Sequence, residues 1–396
     1  MTHLIVHPAC QHGRLKTLEA PKVFMAPIDR ITISHHRLLL TPPFRAAWDG
    51  QERNHFDATI VRVFDIDGRM GIGSGDLMLG FEGHEELFAG QDPLDLERHN
   101  KVLTNIDFHY GRCWPLDIAL WDLAGQIKQE PVWRLLGGTS PHVPVYASSG
   151  ALHPREELAE LAVGFLELGF PAMKIRFRSR ESGGWHEDVK GLEAVRARVG
   201  DRLKLMVDCN QGWQMPWDTD PPWTLDEALP VARELERLGV FWMEEPLHRA
   251  DLEGHKRLRD MTSVKIVGGE MTRELSSLQT MVDGGAFDIV QPDVALVGGI
   301  TGLAEFGRRL RDTNTVFTPH TWTNGLGMLA NLHLMAGLGA ASFVEFPYDP
   351  PSWGLDRRDY MLSHPVTQKG GVVTLSEKAG LAISLDEERL AATRLD

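Results

Sequence analysis

The chain has 396 residues, 42% hydrophobic and 24% charged, the proportions of a globular protein of two or three domains and not of a disordered one. Asp and Glu number 55 against 41 Lys and Arg, a formal net charge of −14, so neither a nucleic acid nor an anionic membrane is an expected partner. The dispersed Cys10, Cys113 and Cys209, a Met1–Pro8 start without a signal-peptide core, and the lack of a run of about 18 apolar residues point to a cytoplasmic protein.

The first stretch, to about residue 20, has no clear period and reads as an extension. Ile28–Leu40 and Asp57–Ile66 are predicted strands, separated by a polar and aromatic loop, Thr41–His55. Asp67-Gly68 is a tight-turn dipeptide, and Met70–Gly75 returns to complete an antiparallel meander. Helices follow; the clearer one repeats Leu116, Ala119, Leu120, Leu123, Ala124 and Ile127 at three and four residues and ends near Gln129. Gly137-Gly138 marks a boundary, so residues 1–138 are expected to form an α+β unit. The Gly71-Ile72-Gly73-Ser74-Gly75 cluster follows a hairpin turn and opens no helix, which argues against a nucleotide loop.

Beyond residue 139 short apolar runs alternate with amphipathic ones. The predicted strands are Val143–Ser148, Ala172–Arg176, Leu203–Asp208, Val240–Glu244, Val264–Gly268, Phe287–Gln291, Thr315–Thr318 and Ser342–Phe346; Glu156–Leu168, Leu225–Leu238 and Ile300–Arg311 are among the helices between them. This is the grammar of an α/β protein. A closed parallel barrel is favoured over an open doubly wound sheet, because polar residues fall at consecutive strand ends, where such folds bind ligands.

Those residues are Lys174 and Arg176 on strand two, Asp208 with Asn210 on three, Glu244 on four, Glu270 after five, Asp293 after six, His320 after seven and Glu345 on eight. Singly, each has an ordinary explanation as a helix cap, an ion-pair partner or a buried histidine. One per stave, in sequence order, is a far less accidental pattern. Asp208, Glu244 and Glu270 side by side would repel one another unless a cation lay between them, and an all-oxygen set suits Mg²⁺.

Together these residues resemble the enolase superfamily and, within it, the mandelate racemase subgroup. The resemblance runs from about residue 28 to 380 through Pro115–Leu123, Leu135–Gly138, Val207–Trp213, Trp242–Pro246, Gly268–Glu270, Gln291–Asp293 and Pro319–Thr321. It implies a (β/α)₇β TIM-type barrel over residues 139–365, an N-terminal α+β cap, a tail 366–396 packing back on that cap, and a homo-oligomer. It implies Mg²⁺ held by Asp208, Glu244 (in preference to Glu245) and Glu270, a His320–Asp293 acid/base dyad, and Glu345 as a hydrogen-bond donor to a substrate carboxylate. Many subgroup members carry Lys-x-Lys on strand two, the second lysine being a base; here that place is Arg176, a poor base suited to binding or stabilising negative charge. Asp293 stands where the muconate-cycloisomerase type places a lysine.

The chemistry so implied is removal of a proton next to a carboxylate, with His320 as base and Lys174 stabilising charge. With one base, β-elimination is expected over racemisation: a hydro-lyase that dehydrates a small sugar acid to a 2-keto-3-deoxy acid. An epimerase, a lactone cycloisomerase and a non-catalytic metal-binding barrel are the alternatives. Specificity is expected from Arg45 and His55 in the cap loop and from Asn210 and Trp213 after strand three.

Overall fold

The computed structural model describes residues 26–177, 184–339 and 343–395. The N-terminal extension with Cys10, and the start of the predicted strand at Ser342, lie outside the described residues. Three antiparallel strands open the fold: β1 (Ile28–Phe44), β2 (Arg53–Asp65) and β3 (Met70–Gly75), in the order β1-β2-β3. The helices α1 (Leu96–Tyr110), α2 (Pro115–Lys128) and α3 (Val132–Leu135) follow.

The hairpin arms are longer than predicted. β1 runs on to Phe44 and β2 starts at Arg53, so His55 lies in a strand and the connecting loop shrinks to residues 45–52. The cause is aromatic burial: Phe44 is 2% exposed and packs against Trp48, Trp322 and Trp353, which holds the chain extended beyond the apolar run.

The glycines of β3 have a packing reason. A Cβ on Gly71 would lie 2.1 Å from the Ala119 carbonyl oxygen and one on Gly73 2.0 Å from that of Pro115, so only glycine lets β3 lie directly on α2. From the buried face of α2, Asp122 accepts hydrogen bonds from Ile72 N (2.8 Å) and Leu381 N (2.6 Å), tying cap strand, helix and tail together.

The barrel follows as β4 (His142–Ser148), α4 (Arg155–Glu167), β5 (Ala172–Arg176), α5 (Gly184–Val199), β6 (Lys204–Asp208), α6 (Leu225–Arg237), β7 (Trp242–Glu244), α7 (Leu252–Met261), β8 (Lys265–Gly268), α8 (Leu275–Asp283), β9 (Ile289–Val290), α9 (Gly299–Leu310), β10 (Val316–Phe317), α10 (Gly325–Leu338) and β11 (Val344–Pro347). Strands β4 to β10 pair in parallel in chain order, and β11 pairs with β4. The seam between β10 and β11 is bridged by the Thr318 hydroxyl on the Phe343 carbonyl and by Thr321 N on Glu345 (2.8 Å). This is a (β/α)₇β barrel with an antiparallel cap. The tail adds α11 (Leu355–Arg358), β12 (Val372–Thr374), paired antiparallel to β4, and α12 (Glu387–Thr393), which packs on β1. Among the described residues no helix is long and apolar enough to cross a membrane.

Tyr146, Ala172, Met206, Trp242, Val267 and Ile289, one from each of β4 to β9, fill one layer inside the barrel. Side chains two residues apart on a strand share a face. The next layer up is therefore Ser148, Lys174, Asp208, Glu244 and, just past β9, Gln291: an apolar floor beneath a polar site.

Candidate metal and acid/base centre

Asp208, Glu244 and Glu270 each offer an oxygen within 4.8 Å of the others, and all three are buried; among the described residues this is the one such cluster. Adjacent strands set the spacing, Asp208 standing opposite Glu244 in the β6–β7 register. The donors are all carboxylate oxygens, and Glu270 Oε2 is buried without a hydrogen-bond partner, so the set fits a hard divalent cation such as Mg²⁺. Burial, reinforced by Asp208, Glu345 and Glu270 and opposed by Lys174, pushes Glu244 up to about 8; uncompensated acids cannot all stay charged together. The adjoining Glu245 lies in the left-handed region (φ 44°), is 3% exposed, and is pushed well up by burial and then by Glu270 and Asp208.

Lys174 is fully buried, with Nζ 2.6 Å from Glu244 Oε1, 2.7 Å from Glu345 Oε1 and 3.7 Å from Asp208 Oδ2. Burial works against its charge, but Glu244 and Glu345 outweigh it and raise Lys174 above the ordinary lysine range. The Lys174 ion pair pulls Glu244 back toward its charged form, against burial first and the neighbouring acids second. Glu345 is held down to about 2: burial opposes ionisation, and Lys174, His320 and Arg176 overcome it. It accepts from the Ser148 hydroxyl (2.8 Å), Lys174 and Thr321 N (2.8 Å). In this arrangement Glu345 is an acceptor that fixes Lys174.

Arg176 is buried and held by specific groups. Nε donates to the Ser149 carbonyl (2.9 Å), Nη1 pairs with Asp208, and the guanidinium carbon lies 4.8 Å from the Trp48 ring and 5.5 Å from the Trp322 ring. Burial disfavours its charge, yet Asp208 and Glu345 raise it further, so it stays a cation.

His320 Nδ1 is 3.0 Å from Asp293 Oδ2, while Nε2 faces Glu270 Oε2 at 3.8 Å. Burial lowers its proton affinity, but Glu270 and the Asp293 hydrogen bond outweigh it and bring the imidazole up to about 9 in the metal-free arrangement. A cation on Glu270 would remove the largest raising contribution and free the ring to act as a base near neutrality.

The loop residues divide. Trp213 Nε1 donates to Glu270 Oε1 (2.8 Å), placing the indole against the triad, and Asn210, at φ 49°, donates its backbone N–H to Asp208 Oδ1 (2.8 Å). Arg45 is 81% exposed, pairs with Glu52, and lines a cleft of about 900 Å³ bounded by residues 45–52 and 217–220. Trp48 lines this cleft too and also covers Arg176. His55 is exposed, 3.7 Å from Asp57.

Sequence reasoning passed over Gln291, whose Nε2 donates to Glu244 Oε2 (3.0 Å), and Ser148, which donates to Glu345 and accepts from Trp322 Nε1 (2.9 Å). Both stand two residues above a barrel-floor side chain, so strand alternation was the signal available.

A family model described as enolase C-terminal domain-like matches residues 157–389. The 3,6-anhydro-alpha-L-galactonate cycloisomerase of Streptomyces coelicolor is 29% identical over 380 residues, 92% of this chain and 98% of the relative. The L-talarate/galactarate dehydratase of Salmonella typhimurium is 29% identical over 322 residues, 77% of this chain and 73% of the relative. The crystal structure of a racemase from Streptomyces coelicolor with bound magnesium superposes with a TM-score of 0.79 at 26% identity, covering 93% of this chain and 100% of that one. These relatives are enzymes: a cycloisomerase, a dehydratase and a racemase.

Proposed function

The chain belongs to the enolase superfamily, and from that premise we propose that it is a Mg²⁺-dependent hydro-lyase that removes the α-proton of a sugar acid and expels its β-hydroxyl to give a 2-keto-3-deoxy acid. Asp208, Glu244 and Glu270 would hold the ion. When bound, Mg²⁺ supplies positive charge against the substrate carboxylate oxygens, where negative charge develops as the α-proton leaves. Every other part falls to side chains of this chain. Asp293 holds His320 by Nδ1, which leaves Nε2 turned toward the triad as the proton acceptor. The imidazolium then hands that proton to the departing hydroxyl. Lys174, kept cationic by Glu244 and Glu345, adds charge on the carboxylate side.

The confinement of Arg176 carries the choice of elimination. Racemisation needs a second group that takes and returns a proton on the opposite face; an always-protonated guanidinium, tied to Asp208 and Ser149 and enclosed by two indoles, does neither. A second reading is favoured by the near full-length match to the anhydrogalactonate cycloisomerase: the same proton removal, with a ring oxygen leaving instead of hydroxide.

The test is to incubate the Mg²⁺-loaded protein in D₂O with open-chain acids (galactonate, arabinonate, galactarate) and with 3,6-anhydrogalactonate, following keto-acid formation and α-proton exchange. Keto acid from an open-chain acid supports the hydro-lyase, and keto acid from the anhydro acid alone supports the second reading. Exchange without any keto acid overturns both.

A further inference from the structure

We propose that Asn331 is a positioning residue for the acid/base dyad, a third member behind His320 and Asp293. The proposal rests on the reading of His320 as the base. Thirteen of the fourteen residues of α10 are buried, and Asn331 and His333 are its two polar side chains. A fully buried amide in such a helix costs free energy unless each polar atom is used. Here each one is. Nδ2 donates to Asp293 Oδ1 (2.9 Å) and to the Gly327 carbonyl (3.1 Å), and Oδ1 accepts from Val294 N (3.2 Å). The orientation of the amide is unambiguous, because both neighbours of Nδ2 are acceptors and the neighbour of Oδ1 is a donor.

The consequence falls on Asp293. Its Oδ1 is occupied by Asn331 Nδ2 and by Ala295 N (2.9 Å), which leaves Oδ2 for His320 Nδ1. A carboxylate held by one oxygen cannot rotate the other out of reach, so the imidazole is kept in one tautomer with Nε2 toward the triad. Asn331 also holds the backbone just past Asp293 through Val294 N. The amide thus fixes both the position and the rotation of the group that orients the base, from a helix that carries none of the carboxylate triad, the dyad or Lys174.

Two near-isosteric variants separate these duties. Asn331→Leu loses both the donor to Asp293 and the acceptor for Val294 N; Asn331→Asp keeps the acceptor and replaces the amide donor by a carboxyl that must share a proton with Asp293. The first readout needs no substrate: the Nδ1–H resonance of His320 in ¹⁵N-histidine-labelled, Mg²⁺-loaded protein, identified by its absence in His320→Asn. Both variants should shift or lose this resonance while Mg²⁺ affinity, measured by calorimetry, stays within about threefold. The second readout is turnover of whichever probe acid the wild type converts, for which kcat should fall about 10- to 100-fold with KM within about threefold. If Asn331→Leu keeps the wild-type resonance and kcat, the donor to Asp293 has no positioning role and the proposal is overturned. A kcat loss that merely tracks a loss of Mg²⁺ affinity overturns it as well. If the wild type converts no probe acid, the proposed function fails while the resonance still decides the role of Asn331.

Discussion

At the scale of single residues the site is a problem of buried charge. Asp208, Glu244, Glu270 and Glu345 are buried together; Lys174 and Arg176 hold Asp208, Glu244 and Glu345 in ion pairs, and His320 faces Glu270. Breaking a buried pair by removing one partner is strongly destabilising, because the other charge is stranded. Arg176→Met should therefore lower unfolding free energy by about 3 kcal/mol in metal-free protein, with a smaller loss in saturating Mg²⁺, since a cation on Asp208 replaces the missing guanidinium. Urea unfolding of both proteins in chelator and in Mg²⁺ checks this; an equal loss in both would mean that Arg176 is not the counter-charge of Asp208. The dyad makes the companion prediction: in saturating Mg²⁺, where a cation on Glu270 relieves the need for a charged ring, His320→Asn should cut turnover by about 10²- to 10⁴-fold and leave the melting temperature close to wild type, as read by kinetics and thermal melts. Charged residues at strand ends were legible in the sequence because acids stand out after apolar runs. Gln291 and Asn331 were not, because a lone amide carries no charge and shows its purpose only once its partners are placed.

Between elements, Asp117 of α2 joins cap to barrel and Asp122 of α2 joins cap to tail. Asp117 accepts from Thr301 N (3.1 Å) in the first turn of α9 and from Asn100 Nδ2 (3.1 Å), so a cap carboxylate occupies the positive end of a barrel helix. Asp122 holds Ile72 N and Leu381 N, as described above. Asp122→Ala would leave both buried N–H groups unsatisfied and should cost about 2–4 kcal/mol in denaturant unfolding; a loss under 1 kcal/mol would show that water replaces the carboxylate. The α2 helix was legible from its apolar repeat, and the glycine cluster was recognised as unlike a nucleotide loop. Its packing role was hidden, because close approach of β3 to α2 is a tertiary fact. For the same reason the cap loop was drawn too long: local composition marked residues 41–55 as polar and aromatic, whereas the aromatic contacts that extend both strands come from Trp322 and Trp353, far away in the chain.

For the whole molecule, the order of polar residues along the chain is also their order around the barrel, which is why one sequence read without partners pointed to a closed sheet and a common site. What the sequence could not show is how folding loads titratable groups into the interior. His255 and His333 are buried in α7 and α10; burial dominates in both, bringing them down to about 4 and about 3. His333 Nδ1 accepts from Trp133 N (3.2 Å), which requires a neutral ring; His255 Nδ1 donates to the Asp251 carbonyl (2.7 Å), a bond that favours the charged ring and is outweighed by burial. Their folded values lie below that of a free histidine, about 6.5. The stability they lend is complete above pH 6.5 and is lost as pH falls toward their folded values. Asp107, Asp117 and Asp122, each raised to about 6 by burial, work the other way and gain stability as pH falls from 6. The opposing sets make the wild-type curve alone undiagnostic. Comparison with His255→Gln/His333→Gln isolates the histidines: the advantage of wild type over this double variant should be constant above pH 6.5 and shrink below it, at the steepest by about 1.4 kcal/mol per pH unit for each ring. Urea unfolding at pH 7, 6 and 5 measures the gap; a gap that stays level or widens toward pH 5 would mean that the two rings are protonated in the folded protein.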